Sequence, residues 1–350
     1  MKVFVTGHRG YLGAHLCPLL RDLGHTVDGR DAGLFETCAY PDMPPLAKVE
    51  PNERGDIRDL RPDHFDGYDA VIHLAGLSND PLGDLDPVLT DAINRAAAVH
   101  VAQTARDAGV RRFLFASTCS VYGARDADLL DETAQPQPVT PYARAKAAAE
   151  VEIARLASPS FTPVFLRPGT VFGLGPRPRF DLVLNNLLAW AAATDEVRLK
   201  SDGSAWRPLV HVTDVARAFA ALLEPQATDV SCRAFNVTTQ AGTLTVRQLA
   251  DRIVRSLDGV QLTQSPGASR DPRSYRVSGA RLADLIGPDW AQWDIDQGIA
   301  EIANALDQHP VSVNDFEGPR FQRLAHLKSR MAGADLGTDL RPVKLEMGQP

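Results

Sequence analysis

Tyr142 and Lys146 stand four residues apart in the stretch Pro141-Tyr142-Ala143-Arg144-Ala145-Lys146. On a helix that spacing puts both side chains on one face. A phenol with a pKa near 10 is a weak base at neutral pH. A neighbouring ammonium stabilises the phenolate, and the pair can then exchange a proton with a substrate hydroxyl. Tyr-x-x-x-Lys alone is equally the pattern of a solvated surface pair, so its position decides. Upstream, Ser117-Thr118-Cys119-Ser120-Val121-Tyr122-Gly123 follows the apolar run Arg112–Ala116 (RFLFA). Hydroxyls in that place fall at the C-terminal end of a strand, where open α/β sheets bind ligands.

A second chemistry is written at the N-terminus. The apolar run Val3-Phe4-Val5 closes on Gly7-His8-Arg9-Gly10-Tyr11-Leu12-Gly13, a G-x-x-G-x-x-G turn opening a helix in which Leu12, Leu16, Leu19, Leu20 and Leu23 recur at helical spacing. Glycines there let backbone approach a pyrophosphate, whose charge sits against the helix N-terminus. Eighteen residues after Gly13 comes Asp31, near the distance expected of an acid that binds the adenosine ribose, which favours NAD. Arg30 beside it would instead suit a 2′-phosphate, and Asp28 is a competing acid. Farther on, Asp56-Ile57 offers a carboxylate beside an apolar side chain, a pair able to seat an adenine ring.

The elements needed to position these residues follow from periodicity. Strand-like runs at Val3–Val5, Ala70–Leu74, Arg112–Ala116 and Pro163–Leu166 alternate with helical stretches, the longest at about 86–108 and 141–156. That alternation indicates a parallel sheet covered on both faces. After Arg167 the texture becomes Gly/Pro-rich (GTVFGLGPRPR), the expected crossing into a second lobe. Residues 32–55 read as a long surface connection. The tail from about Pro310 has one amphipathic stretch, FQRLAHLKSRM, to which the sequence assigns no role.

Composition narrows the function. The 350 residues carry 37 basic and 44 acidic side chains, a net charge of −7, which argues against a general nucleic-acid or anionic-membrane binder. No apolar run approaches the ~20 residues of a membrane span. Cys17, Cys38, Cys119 and Cys232 lie far apart without metal-ligand spacing, so no metal is expected and reduced thiols in a cytoplasm are the reading.

Taken together, TGHRGYLG, GDIRD, VIHLAGLS, FASTCSVYG, TPYARAK and RPLVHVTDVARA, in that order, resemble the extended short-chain dehydrogenases/reductases that modify nucleotide-diphosphate sugars. The resemblance runs from Met1 to about residue 305. It implies a Rossmann-type doubly wound parallel sheet with a smaller C-terminal substrate-binding lobe. The division expected is a NAD-binding domain over 1–168, with 205–237 returning to it, a substrate lobe from 169–204 and 238–308, and a tail 309–350. It implies that Tyr142 is the acid/base, Thr118 its hydroxyl partner and Lys146 its electrostatic partner. NAD would lie along Gly7, Gly10, Tyr11, Leu12, Gly13, Asp31, Asp56, Ile57, Leu74, Ala75, Gly76 and Ser117, with His73 in the same strand-end segment, and would also meet Tyr142 and Lys146. The substrate would meet Ser78, Thr118, Asn186, Arg207 and, more loosely, Arg273 with Tyr275. Arg167, Arg177, Arg179, Arg270 and Arg276 add basic character around the second lobe, some of them as solvated side chains.

Within that resemblance, 4,6-dehydratases place an Asp-Glu pair where this chain has Cys119 and Ser120, and 3,5-epimerizing members use a cysteine where it has Ser120. Cys119 is read as a buried packing residue. The remaining expectation is an epimerase working through a transient ketosugar, with a nucleotide-sugar dehydrogenase or reductase as the alternative and a non-enzymatic NAD-binding regulator farther off. The resemblance also implies a homodimer through the stretches 86–108 and 141–156, with Leu89, Ile93, Ala96 and Ala97 free either to meet a partner or to cover the sheet.

Overall fold

A computed structural model describes residues 1–40, 52–271 and 273–343. Residues 41–51 of the connection expected over 32–55, and the last residues of the tail, fall outside them.

The centre is one parallel sheet of seven strands: β1 (Lys2–Thr6), β2 (Thr26–Asp31), β3 (Asn52–Arg54), β4 (Ala70–His73), β5 (Arg112–Ala116), β6 (Thr162–Pro168) and β7 (Ala234–Val237). Their spatial order is β7-β6-β5-β4-β1-β2-β3. The order in which strands are added reverses between β1 and β4, with β2 and β3 on one side and β4 to β7 on the other, and ligands bind beyond the strand ends at such a switch point. Side chains alternate across each strand. Val3 and Val5 enter one buried layer with Leu16, Leu20, Leu114 and Phe219, whereas Phe4 enters the other with Val71, Phe113, Val101 and Ile153. Helix α1 (Tyr11–Asp22) covers the first face.

On the second face the stretch expected at 86–108 is helical throughout, as Pro87–Asp91, Ala92–Ala97 and Ala98–Asp107. Its middle part is π-helical. Asn94, buried there, accepts from the Leu77 N–H at 2.8 Å and donates to the Leu77 carbonyl at 2.9 Å, so the wide turn ties this helix to the strand-end loop. Leu89, Ile93 and Ala97 face inward and cover the sheet, while Ala96 is exposed. The neighbouring helix α2 (Pro141–Ala154) starts with Pro141 at its first position and Thr140 capping the Ala143 N–H at 3.2 Å.

A second apolar core is built from helix α3 (Val183–Thr194) and its surroundings: Phe180, Leu184, Val197, Leu249, Ile299, Phe316 and Phe321. The last two belong to the tail. The tail then forms helix α4 (Arg323–Ala332), and Leu327, Leu336 and Leu340 enter the sheet's second layer beside Ile57 and Leu60. The amphipathic stretch with no assigned role is therefore a strap crossing between both cores.

Candidate active site

Between the strand ends and α3 lies one cleft of about 1220 Å³. All the residues expected at the cofactor and substrate line it, from Gly7 to Arg273, including Thr118, Tyr142 and Lys146. His73 does not; it is buried, hydrogen-bonded through Nδ1 to Thr6 Oγ1 at 2.8 Å, and burial lowers its pKa to about 3.

The glycine turn is shaped by exclusion. Gly7 has φ +74°, and a Cβ there would sit 2.7 Å from the Ala75 backbone nitrogen; at Gly13 it would sit 2.5 Å from the His8 carbonyl oxygen. Gly10 caps α1 with no side-chain bond, which leaves the first N–H groups of the helix facing a bare cradle. Asp31 is fixed opposite, one carboxylate oxygen accepting from the Gly33 N–H at 2.7 Å and the other from the Arg9 N–H at 3.2 Å. The competing acid is occupied elsewhere. Asp28 accepts from the Tyr68 hydroxyl at 2.6 Å. The Arg30 side chain packs on Gly55, where a Cβ would lie 2.6 Å from its Nε. Asp56 is half-buried and paired with Arg58 at 2.5 Å; burial would raise its pKa, but the bonds from Arg58 outweigh that and hold it below the usual range.

At the other end of the same floor, Ser117 Oγ is buried with no hydrogen-bond partner. The cradle, the open N-terminus of α1 and this orphaned hydroxyl fit an extended dinucleotide with its diphosphate on α1.

Lys146 Nζ is buried, donates to the Ala116 carbonyl at 2.8 Å and lies 4.6 Å from the Phe115 ring centre. Burial lowers its pKa to about 8, against the pull of Glu150 one turn along α2. The Tyr142 phenol is hydrogen-bonded to Thr118. Sequence reasoning expected the ammonium to lower the phenol's pKa. In this fold burial dominates and raises it, Asp80 adds to the rise, and Thr118 and Arg179 oppose it. Cys119 is fully buried behind the cleft with Sγ donating to the Arg167 carbonyl at 3.0 Å, and burial keeps its thiol protonated. Ser120 lines the cleft and hydrogen-bonds Tyr275.

The second lobe closes the cleft with arginines held by acids. Arg207 and Arg273 share Asp271, at 2.6 and 2.8 Å, and Arg273 also reaches Asp80 at 3.2 Å. Arg179 and Asp181 form a buried pair at 2.7 Å, joined to the first lobe by Arg179 on Ser78 Oγ (2.9 Å) and Asn79 on Asp181 (2.7 Å). Asn186 donates to the Phe180 carbonyl and to Glu317 Oε1, both at 2.9 Å. The same oxygen accepts from Lys200 Nζ at 2.6 Å. Arg167, grouped from sequence with the second-lobe bases, is instead buried against Glu150 at 2.6 Å and does not line the cleft.

Asp80, Asp181, Glu317 and Arg323 line the cleft without having been singled out from sequence. Asp80 and Asp181 each stand close to a noted motif, in SNDP and GPRPRFD, where their acidity was the available signal. Arg323 stands in the amphipathic stretch FQRLAHLKSRM, to which no role was assigned, and Glu317 had no signal.

Comparison with known proteins agrees with this geometry. A model of the NAD dependent epimerase/dehydratase family matches residues 3–238. A UDP-glucose 4-epimerase of Lacticaseibacillus casei is 27% identical over 342 residues, covering 90% of this chain and 99% of that one. A dTDP-4-dehydro-6-deoxy-D-allose reductase of Streptomyces bikiniensis is 30% identical over 241 residues, 63% of this chain and 72% of that one. The solved structure of MoeE5 in complex with UDP-glucuronic acid and NAD superposes with a TM-score of 0.75 at 26% identity, covering 88% of this chain and 99% of that one. With the sheet order, the glycine cradle and Thr118, Tyr142 and Lys146 all lining one cleft, these matches mean that the chain belongs to the NAD-dependent epimerase/dehydratase family.

Proposed function

We propose that this protein is an NAD-dependent epimerase of nucleotide-diphosphate sugars that works through a transient ketosugar. The observation that carries the reading is the arrangement around Tyr142. Thr118 bonds the phenol and Lys146 lines the same cleft, while Cys119 is packed behind it and Ser120 is bonded to Tyr275. Asp80, the acid that acts on Tyr142, is tied to Thr140 at 2.6 Å and to Arg273. Tyr142 then serves one sugar hydroxyl as proton acceptor and donor, and Lys146 stabilises the phenolate. NAD, when bound, supplies the hydride acceptor and donor. The long match to a UDP-glucose 4-epimerase supports the same reading.

Reaction in D₂O is the test. A hydride that leaves and returns without meeting solvent gives an epimerized product with no deuterium on carbon, and Cys119→Ala retains most activity. Deuterium on a ring carbon together with a large loss in Cys119→Ala would overturn the proposal. The reductase match favours a second reading, which stoichiometric consumption of NADH or NADPH would identify.

We further infer a cytoplasmic homodimer. Four free cysteines support the compartment, and among the described residues no helix is long and apolar enough to cross a membrane. The dimer face suggested is the outer side of α2 and its neighbour. There Val88 is 79% and Val151 54% exposed near Ala96, and Arg95 bridges the two helices to Glu152 at 3.1 Å. Sedimentation is expected to give twice the chain mass of 37.9 kDa; a concentration-independent monomer would exclude the dimer.

A further inference from the structure

The strap is in contact with the cofactor half of the cleft at two places. Near its end, Leu340 lines the cleft beside Asp56 and Ile57. The Asp339 carbonyl accepts from Arg58 at 2.9 Å, and Arg341 pairs with Asp59 at 2.6 Å. At its other contact, α4 lies on the loop that follows Asp31. The Leu34 carbonyl accepts from Arg330 at 2.8 Å and lies 3.1 Å from His326 Nε2, and the Arg323 guanidinium lies 4.4 Å from the Phe35 ring centre.

Arg323 is the unusual member. It is only 3% exposed, yet its charge is poorly matched. Nη2 makes long bonds to the Arg177 and Pro178 carbonyls at 3.3 and 3.5 Å, the guanidinium also bonds the Cys38 thiol, and Nη1 has no hydrogen-bond partner. Arg177 Nε beside it is likewise buried and without one. Burial, with Arg179 and Arg177 close by, lowers the Arg323 pKa to about 10, and Cys38 and Asp181 offset this only in part. Four guanidiniums, Arg9, Arg177, Arg179 and Arg323, stand among three carboxylates, Asp31, Glu36 and Asp181, and Glu36 is shared with Arg54. A chain with a net charge of −7 thus keeps surplus buried positive charge here. Buried cations normally have partners.

The location says which anion would match it. The loop carrying Arg177 and Arg179 is fastened to the first turn of α1, where the Tyr11 hydroxyl donates to the Gly173 carbonyl at 2.7 Å and a Cβ at Gly175 would lie 2.4 Å from His15 Nε2. Arg323 therefore meets the cleft between the Asp31 loop and the loop held on the open helix N-terminus. Arg207 and Arg273, which face the substrate side, are already engaged by Asp271.

We propose that the Arg323 guanidinium bonds the diphosphate bridge of the bound dinucleotide, so that the tail supplies a cationic wall to the cofactor site. The proposal rests on the assignment of NAD to this cleft. It is tested by titrating the nucleotide-free full chain with NAD, ADP-ribose and, after loading with NAD, UDP. Arg323→Met is expected to weaken NAD and ADP-ribose about 10- to 100-fold, the size of a lost charged hydrogen bond. UDP affinity should stay unchanged, and without ligand the variant should melt at or above the wild-type temperature, because an unmatched buried cation is gone.

NAD and ADP-ribose affinities within twofold of wild type would overturn the proposal. So would a loss confined to UDP, which would assign Arg323 to the substrate's diphosphate, or a lower melting temperature with an unchanged NAD affinity, which would make it a structural residue. Should the Met variant fail to fold, Arg323→Lys decides. It keeps the charge without the planar fork, so a measurable weakening of both ligands is expected, and wild-type affinity for both would refute the assignment. A wild type that binds neither NAD nor ADP-ribose would instead remove the cofactor assignment on which this proposal stands.

Discussion

Tyr142→Phe is expected to lower turnover by at least about 10²-fold while leaving the affinity for NAD within a few-fold of wild type. The substitution deletes one oxygen and keeps the ring, so the packing of Tyr142 against Gly83, where a Cβ would lie 2.7 Å from the tyrosine Cβ, is undisturbed. What disappears is the group that hydrogen-bonds Thr118 and that exchanges the substrate proton in the proposed mechanism. Lys146 cannot take over, because its ammonium is held on the Ala116 carbonyl. Single-turnover measurement of hydride transfer, with NAD affinity measured in parallel, checks both halves. Activity near wild type would remove Tyr142 from the chemistry, and an equal loss of NAD binding would make it a cofactor-site residue instead.

Glu150→Ala is expected to cost about 3–5 kcal/mol of folding stability, the usual penalty for removing one partner of a buried ion pair. Glu150 receives two bonds from Arg167, at 2.9 and 2.6 Å, and both side chains are over nine-tenths buried. Arg167 also donates to the Tyr122 hydroxyl at 2.9 Å, and that hydroxyl donates to Asn236 at 2.8 Å. The guanidinium would keep the Tyr122 contact and lose its counter-charge. Lys146 would also lose the carboxylate that supports its protonated form, so its pKa should fall further below about 8. Urea unfolding of the variant is the measurement; a loss under about 1 kcal/mol would mean that water or a rearranged acid compensates Arg167.

These two residues illustrate what sequence order discloses. Tyr142 and Lys146 were legible because a helix fixes their relation within four residues, and Gly7, Gly10 and Gly13 because one turn needs all three. Asp31 was legible through its distance from that turn and lines the cleft, whereas Asp28 is engaged by Tyr68 and Arg30 packs on Gly55. Arg167 was not legible. Its partner lies 17 positions earlier on a different element, and only the packing of α2 on β6 joins them. The tail was harder still, since Arg330 reaches Leu34 across 296 positions and Arg341 reaches Asp59 across 282. An amphipathic period announces that a helix has a buried face but carries no information about what covers it. The rise in the phenol's pKa was also out of reach, because burial outweighs the neighbouring charges and is a property of the assembled cleft.

The strap has a consequence for how the molecule is made. Chains are synthesised and begin to fold from the N-terminus, and residues 312–343 emerge after everything they pack against. Until then the α3 core lacks Phe316 and Phe321, and the layer under Ile57 and Leu60 lacks Leu327, Leu336 and Leu340. A nascent chain with a complete parallel sheet therefore still exposes apolar surface in two places, and one late segment closes both.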